Sequence, residues 1–260
     1  MADALRERAL AAPPPPPFAE ALRGGDGVAV IAEIKRRSPS KGSINEAIRA
    51  GDRAALYERG GASALSILTE PSEFGGDVDD LREVATRVRL PLLKKDFHVD
   101  EVQVWEARAL GASAMLFIAR ALPPERLAAL VELALQVGVE PLVEVRTEGE
   151  LAAALATRAP VIGVNARDLE TLDVDPAVTA RLIPGMPGDR VRVAESGMST
   201  ADDVARAASW GAQAVLVGSA LSAASDPAAL LRAMAAVRRL PGAGAAAEIA
   251  ASPPRDGAHA

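Results

Sequence analysis

Residues 28–42 read Val-Ala-Val-Ile-Ala-Glu-Ile-Lys-Arg-Arg-Ser-Pro-Ser-Lys-Gly, an apolar run that turns abruptly into charge. Side chains two apart on a strand share a face, so if Ile31 points inward, Glu33 and Lys35 follow it. The spacing predicts a carboxylate and an ammonium stacked at the carboxyl end of a buried strand. Buried charge is costly to desolvate unless it is paired, so the arrangement reads as a functional site. The plainer alternative is a structural ion pair.

The same pattern repeats downstream. Short β-branched or Leu-rich segments begin near Val28, Ala64, Leu90, Ser113, Pro141, Val161, Val191 and Ala214. Amphipathic helical stretches fill residues 45–60, 78–88, 100–110, 124–137, 147–158, 175–182, 200–210 and 225–239. Asp100 and the Ser199–Asp202 segment offer N-caps. Gly60, Gly61, Gly111, Gly138 and Gly211 stand where helices would stop. Eight strand–helix pairs are the count of an α/β (β/α)8 TIM barrel. A doubly wound open sheet would have fewer strands and a glycine-rich turn after the first, and Ile34-Lys35-Arg36-Arg37 is no such turn.

The ends differ from this body. Residues 1–27 form an N-terminal Pro-rich extension, in which Pro13–Pro17 favours an extended spacer and Phe18–Arg23 a short helix. Residues 28–240 are expected to be the catalytic barrel. Residues 241–260, rich in Ala, Gly and Pro, are expected to be a disordered tail.

Composition narrows the function. Aromatics make up only 3% of the 260 residues, so the core is aliphatic. A net charge of −6 with no basic face argues against nucleic acid as a partner. The absence of cysteine excludes disulfides and thiolate metal sites, and two histidines, His98 and His259, leave no basis for a histidine metal cluster or a Ser-His-Asp triad. No apolar run has the length of a membrane span, and the N-terminus lacks the apolar centre of a signal peptide. A soluble, cytoplasmic protein acting on a small molecule is expected.

Barrel enzymes carry their chemistry at the carboxyl ends of the strands. Here those ends offer Glu33 and Lys35, then Thr69 and Glu70, Lys95 and Asp96, Arg120, Glu144, Asn165 and Arg167, Glu195 and Ser196, and finally Gly218 and Ser219. The opposite ends are bland. The last two strands finish in Ser196-Gly197 and Gly218-Ser219, backbone-exposing turns before helices, which is the usual phosphate cradle of such barrels. Lys94 and Lys95 point to opposite faces and periodicity does not say which enters; the other is expected to be solvated. A lysine among Lys35, Arg167 and apolar walls is expected to have a lowered pKa. Glu144 lies in an apolar strand, suited to proton transfer or to a salt bridge with a lysine, or to both. Asn165 suits a hydroxyl. Arg167 suits a carboxylate, with an ion pair to Asp168 or Glu170 as the alternative. His98 reads as a simple loop residue.

The segments Ile31–Gly42, Leu65–Glu70, Leu92–Phe97, Pro141–Glu144, Gly163–Leu172, Ala194–Gly197 and Val217–Leu221 resemble the indole-3-glycerol-phosphate synthase family, over about residues 28–238. The resemblance implies ring closure of 1-(2-carboxyphenylamino)-1-deoxyribulose 5-phosphate with loss of CO2 and water, without metal or organic cofactor. It implies Lys95 as general acid and Glu144 as the group for the later proton transfers, helped by Glu33 and Lys35, with Asn165 orienting hydroxyls. Lys35, Ser38 and Arg167 would lie toward the anthranilate carboxylate, Phe74, Phe97, Leu116 and Leu169 would form apolar walls, and Ser196, Gly197, Gly218 and Ser219 would hold the phosphate. The expected state is a monomer, open to association with other tryptophan-pathway enzymes.

The family's N-terminal extension, which covers the barrel mouth, is usually longer than the 27 residues here. The loop Pro71–Asp77 lacks one of the two aromatics often found there, which implies a less enclosed ring. Alternatives are another phosphate-binding barrel, such as phosphoribosylanthranilate isomerase, whose Asp/Cys pair this chain lacks, or a degenerate barrel kept as a binding subunit.

Overall fold

The computed structural model describes residues 2–40 and 42–240. Lys41, part of the quoted opening stretch, and the tail 241–260 lie outside the described residues. Helices α1 (Ala2–Ala11) and α2 (Phe18–Arg23) precede β1 (Ala29–Ile34), which is followed by a small antiparallel ribbon, β2 (Arg37–Ser38) and β3 (Gly42–Ser43). The chain then alternates: α3 (Ala50–Arg59), β4 (Ala64–Leu68), α4 (Val78–Arg87), β5 (Leu92–Lys95), α5 (Glu101–Ala109) and β6 (Ala114–Ile118). After a 3-10 turn come α6 (Pro124–Gln136), β7 (Glu140–Val145), α7 (Glu148–Leu155), β8 (Val161–Asn165) and α8 (Pro176–Leu182). A second 3-10 turn leads to β9 (Val191–Glu195), α9 (Ala201–Ser209), β10 (Ala214–Val217), α10 (Ser219–Ala223) and α11 (Pro227–Ala235).

Strands β1 and β4 to β10 pair in parallel, each with its neighbour, and β10 closes on β1 through Ala29↔Ala214 to Ala32↔Val217. The structure is the expected (β/α)8 barrel. Helix starts are capped by side chains: Asp100 and Gln103 form a reciprocal box at α5, and Thr200 with Asp203 does the same at α9. Gly111 and Gly211, at φ 81° and 99°, turn the chain out of those helices into the next strands.

The core has two parts, as a barrel requires. Outward residues such as Val30, Ala32, Leu65, Ile67, Val143 and Val215 pack under the helices. Inward residues Ala29, Ile31, Leu93, Ala114, Leu142, Val161, Val193 and Ala214 fill the barrel together with Phe18, Ala19 and Leu22 of α2. Both faces are buried, which is why the strands read as continuous apolar runs.

Small alanines at 29, 64, 114 and 214 leave room for Phe18 and Leu22, both fully buried, so α2 seals the amino-terminal end of the barrel. Burying two such side chains is worth roughly 1.5–3 kcal/mol each. Pro17, at the N-cap of α2, has no side-chain acceptor to offer, and Glu140 at the start of β7 supplies one. Its carboxylate accepts from Phe18 N at 2.9 Å and Ala19 N at 2.8 Å. Helix α1, which the sequence reading does not anticipate, lies along α5. Arg6 stacks on Trp105 at 5.0 Å, and Arg108 donates to the carbonyls of Ala12 and Pro13 at the head of the proline run. No helix among the described residues is long and apolar enough to cross a membrane.

Candidate active site

Alternation along each strand decides what reaches the mouth. With Ile31 inside, Glu33 is inside; with Leu93 inside, Lys95 follows; Leu142 brings Glu144, and Val193 brings Glu195. These side chains meet in a cavity of about 690 Å³ at the carboxyl ends of the strands. All the site residues expected from sequence line it: Glu33, Lys35 and Ser38 from the first strand and its loop, Phe74 from the second loop, and Lys95 and Phe97 from the third strand and loop. Leu116, Glu144, Asn165, Arg167 and Leu169 continue the wall, and Ser196, Gly197, Gly218 and Ser219 complete it. Arg120 stands outside it, in the 3-10 turn, paired with Glu170 at 2.6 Å.

Lys95 faces acids. Its Nζ lies 3.7 Å from Glu144 Oε2. Burial by itself would lower the lysine pKa, but Glu144, then Glu195 and Glu33, outweigh it and raise the group well above its ordinary value. The expectation of a lowered pKa is thus overturned. Lys35 is bound to Glu33 at 3.0 Å, and Arg167 is engaged elsewhere, so the charges around Lys95 are carboxylates.

Glu33 is buried and accepts from Lys35 and, at 3.3 Å, from Ser66 Oγ. Burial pushes its pKa up, yet Lys35 and Lys95 bring it below the ordinary carboxylate value. Glu195, 2% exposed, is the opposite case. Burial, then the neighbouring Glu144, drive its pKa well up, and its Oε1 has no hydrogen-bond partner among the described residues. The sequence reading places Glu195 at a strand end and assigns it no role. The signal was its parity with Val191 and Val193, both buried.

Asn165 Oδ1 accepts from Arg167 N and Ser196 Oγ, both at 2.9 Å. No acceptor among the described residues takes its amide donors, which leaves them for a ligand. Arg167 makes neither of the ion pairs considered for it: Asp168 pairs with Arg146 at 3.3 Å and Glu170 with Arg120. Its guanidinium instead donates to Leu172 O at 2.5 Å, within its own loop.

On the opposite wall, Glu70 accepts from the backbone N–H groups of Ser72, Glu73 and Phe74 at 2.8, 2.7 and 3.1 Å, folding the loop that carries Phe74. The Phe74 ring lies 6.3 Å from Phe97 and 5.6 Å from Lys35 Nζ, a tilted aromatic pair with a cation over one face. Ser196 and Gly197 both adopt positive φ, 65° and 76°, a sharp turn that a serine adopts only at a cost of roughly 1–2 kcal/mol. Helix α10 after Gly218 is only five residues long, so the anion-binding capacity here rests on turn amides and hydroxyls rather than a helix dipole.

Behind this wall lies a second, buried ionic cluster. Lys94 is not solvated: it is 1% exposed, between Asp96 Oδ2 at 3.1 Å, Glu106 Oε2 at 3.2 Å and His98 Nε2 at 3.2 Å. His98 is not a simple loop residue either: it is buried, its Nδ1 lies 2.7 Å from Leu116 O, and burial together with Lys94 pushes its pKa down to about 3. A neutral ring with Nδ1–H donating to Leu116 O leaves Nε2 to accept from the lysine.

Comparison with known proteins follows the same lines. The family model described as indole-3-glycerol phosphate synthase matches residues 2–234. The chain is 48% identical over 225 residues to indole-3-glycerol phosphate synthase 1 of Streptomyces coelicolor, covering 86% of this chain and 83% of that protein. It is 48% identical over 228 residues to the indole-3-glycerol phosphate synthase of Leifsonia xyli (88% and 87% covered), and 50% identical over 225 residues to that of Opitutus terrae (84% and 85% covered). Among solved structures, a thiamine phosphate pyrophosphorylase from Pyrococcus furiosus superposes with a TM-score of 0.60 at 15% identity, covering 80% of this chain and 94% of that one. That is a likeness of fold alone.

Proposed function

The chain belongs to the indole-3-glycerol phosphate synthase family, and from that premise we propose that it closes the indole ring of 1-(2-carboxyphenylamino)-1-deoxyribulose 5-phosphate to give indole-3-glycerol phosphate. The observation that carries the reading is the Lys95–Glu144 pair, 3.7 Å apart in one cavity with the Ser196-Gly197 and Gly218-Ser219 turns. The substrate brings a phosphate for the turns, a carboxylate for Lys35, Ser38 and Arg167, hydroxyls for Asn165, and an aromatic ring for Phe74, Phe97, Leu116 and Leu169.

The ring carbon bearing the carboxylate attacks the ketone carbon, and the carbonyl electrons move to oxygen, which takes a proton from Lys95. The carbon–carboxylate bond then breaks; CO2 leaves and its electron pair restores the aromatic ring. The new hydroxyl takes a second proton, from Lys35, and departs as water with the push of the ring nitrogen's lone pair; loss of the adjacent carbon-bound proton to Glu144 completes the pyrrole. Glu33 and Lys35 hold the charge balance around these transfers. Held as an ammonium by its acidic neighbours, Lys95 meets the ketone as a fixed positive charge, which stabilises the developing alkoxide before the proton moves. The substrate-folding walls supply proximity.

The same reading takes the protein as a cytoplasmic monomer, acting on a small phosphorylated substrate without metal or cofactor and open to association with enzymes of tryptophan synthesis. The purified protein, given the carboxyphenylamino-deoxyribulose phosphate, is expected to produce indole fluorescence with release of CO2. Absence of turnover would place the chain with the degenerate barrels that bind without catalysis.

A further inference from the structure

Two glycines inside the barrel have no backbone reason to be glycine. Gly218 sits at φ −114°, ψ −74°, and Gly163 is not among the positive-φ glycines, so alanine meets no left-handed penalty at either. Space is what forbids it. A Cβ on Gly163 would stand 1.9 Å from Glu195 Oε1 and 3.0 Å from its Cδ, with Leu142 Cδ2 at 3.1 Å. A Cβ on Gly218 would stand 2.3 Å from Glu33 Oε1, 3.1 Å from its Cδ and 3.4 Å from its Cβ. In both cases the carboxylate comes from the strand paired with the glycine's own: β9 beside β8, and β1 beside β10. Gly51 also meets a carboxylate, Glu83 Oε1 at 2.5 Å, but between helices α3 and α4 and away from the cavity. Gly27 and Gly76 abut backbone carbonyls, of Ala235 and Leu68, and serve packing.

We propose that Gly163 and Gly218 are positioning residues of the active site, notches in the barrel wall into which Glu195 and Glu33 recline so that both carboxyl groups reach Lys95. The inference rests on the reaction proposed above for its catalytic meaning. A methyl group in either notch meets the far end of a flexible side chain, not backbone. The barrel therefore keeps its fold while the carboxyl group is swung off its position, away from the ammonium and, at Gly163, away from Glu144. The two notches act on different acids: Gly163 serves the one whose proton burial favours, Gly218 the one held ionised by Lys35.

The test is a double-substitution cycle read in thermal midpoint and in turnover: wild type, Gly163→Ala, Glu195→Ala and both together. Gly163→Ala alone is expected to lower the midpoint and to cut kcat at least about tenfold. Placed on Glu195→Ala, where the carboxyl group is gone and the methyl fits, it is expected to leave the midpoint undiminished and kcat within about twofold of Glu195→Ala. Equal falls in midpoint in the two backgrounds, or wild-type kcat in Gly163→Ala, overturn the proposal. If Gly163→Ala alone does not fold, a folded double variant supports the notch and an unfolded one overturns it. The same cycle with Gly218→Ala and Glu33→Ala is read in thermal midpoint alone, because Gly218 also stands in the turn that faces the phosphate; equal falls in the two backgrounds overturn the notch there. If the wild type shows no turnover, the reaction reading falls, and the midpoints still decide the notch.

Discussion

Lys94 and Lys95, adjacent in the chain, stand on opposite sides of β5, and each faces acids. Lys94 is held between Asp96, Glu106 and His98 under helix α5, while Lys95 meets Glu144 within the barrel. The pleat separates them; the acids on each side decide what each becomes. Asp96 also accepts from Thr69 Oγ1 at 2.6 Å on the neighbouring strand's tip and from Phe97 N at 2.9 Å. The outer network thereby anchors the turn that sets Lys95 and Phe97 toward the cavity.

The first expectation concerns that outer lysine. Lys94→Met leaves Asp96 and Glu106 facing each other without a cation. Removing one partner of a fully buried pair costs about 3–5 kcal/mol; because Asp96 and Glu106 retain some solvent, about 2–4 is expected. Urea denaturation checks it. A change below about 0.5 kcal/mol would mean that Lys94 behaves as an ordinary surface residue.

Inside the barrel, Lys95→Ala and Glu144→Gln should each reduce kcat by at least about 10²-fold in the indole-forming assay, the scale of general acid–base catalysis. Wild-type turnover in Lys95→Ala would remove the general acid from the mechanism.

Glu195 has a stability signature with a definite sign. Burial and Glu144 raise its pKa above the ordinary 4.5, so the folded chain keeps a proton that the unfolded chain has already released. Stability is therefore unaffected below the unfolded value and falls as pH climbs from there toward the folded value. Glu195→Gln removes this penalty. Its denaturation free energy should match wild type near pH 4 and exceed it at pH 8. A loss at pH 8, or a gain independent of pH, contradicts the assignment.

Arg146 clamps the loop that carries Arg167 and Leu169. It donates to Ala166 O at 2.7 Å and Asn165 O at 3.4 Å, and pairs with Asp168. Arg146→Met should raise KM about five- to tenfold with a smaller effect on kcat, because the loop positions the carboxylate end of the substrate rather than the reacting carbon. Steady-state kinetics separate the two; a fall in kcat alone would assign the clamp to the chemical step.

Periodicity was enough for the strands, for the helices of the barrel and for the polar ring at its mouth, because each inward residue repeats at two and each helix face near four. Three features lay beyond it. Outward faces of barrel strands are roofed by helices, so Lys94 could be buried even though it points away from the cavity. Both faces of β5 are apolar at Leu92 and Leu93, which removes the contrast needed to choose between the two lysines. Helix α1 has little apolar face of its own, burying Ala9 while Leu10 stays exposed; it is held by Trp105 and Arg108, contacts that exist only once α5 is in place.

With Phe18 and Leu22 plugging the amino-terminal end, the barrel is a cup with one opening. Substrate, water, carbon dioxide and heterocycle therefore share one doorway, rimmed by the loops that carry Phe74 and Arg167.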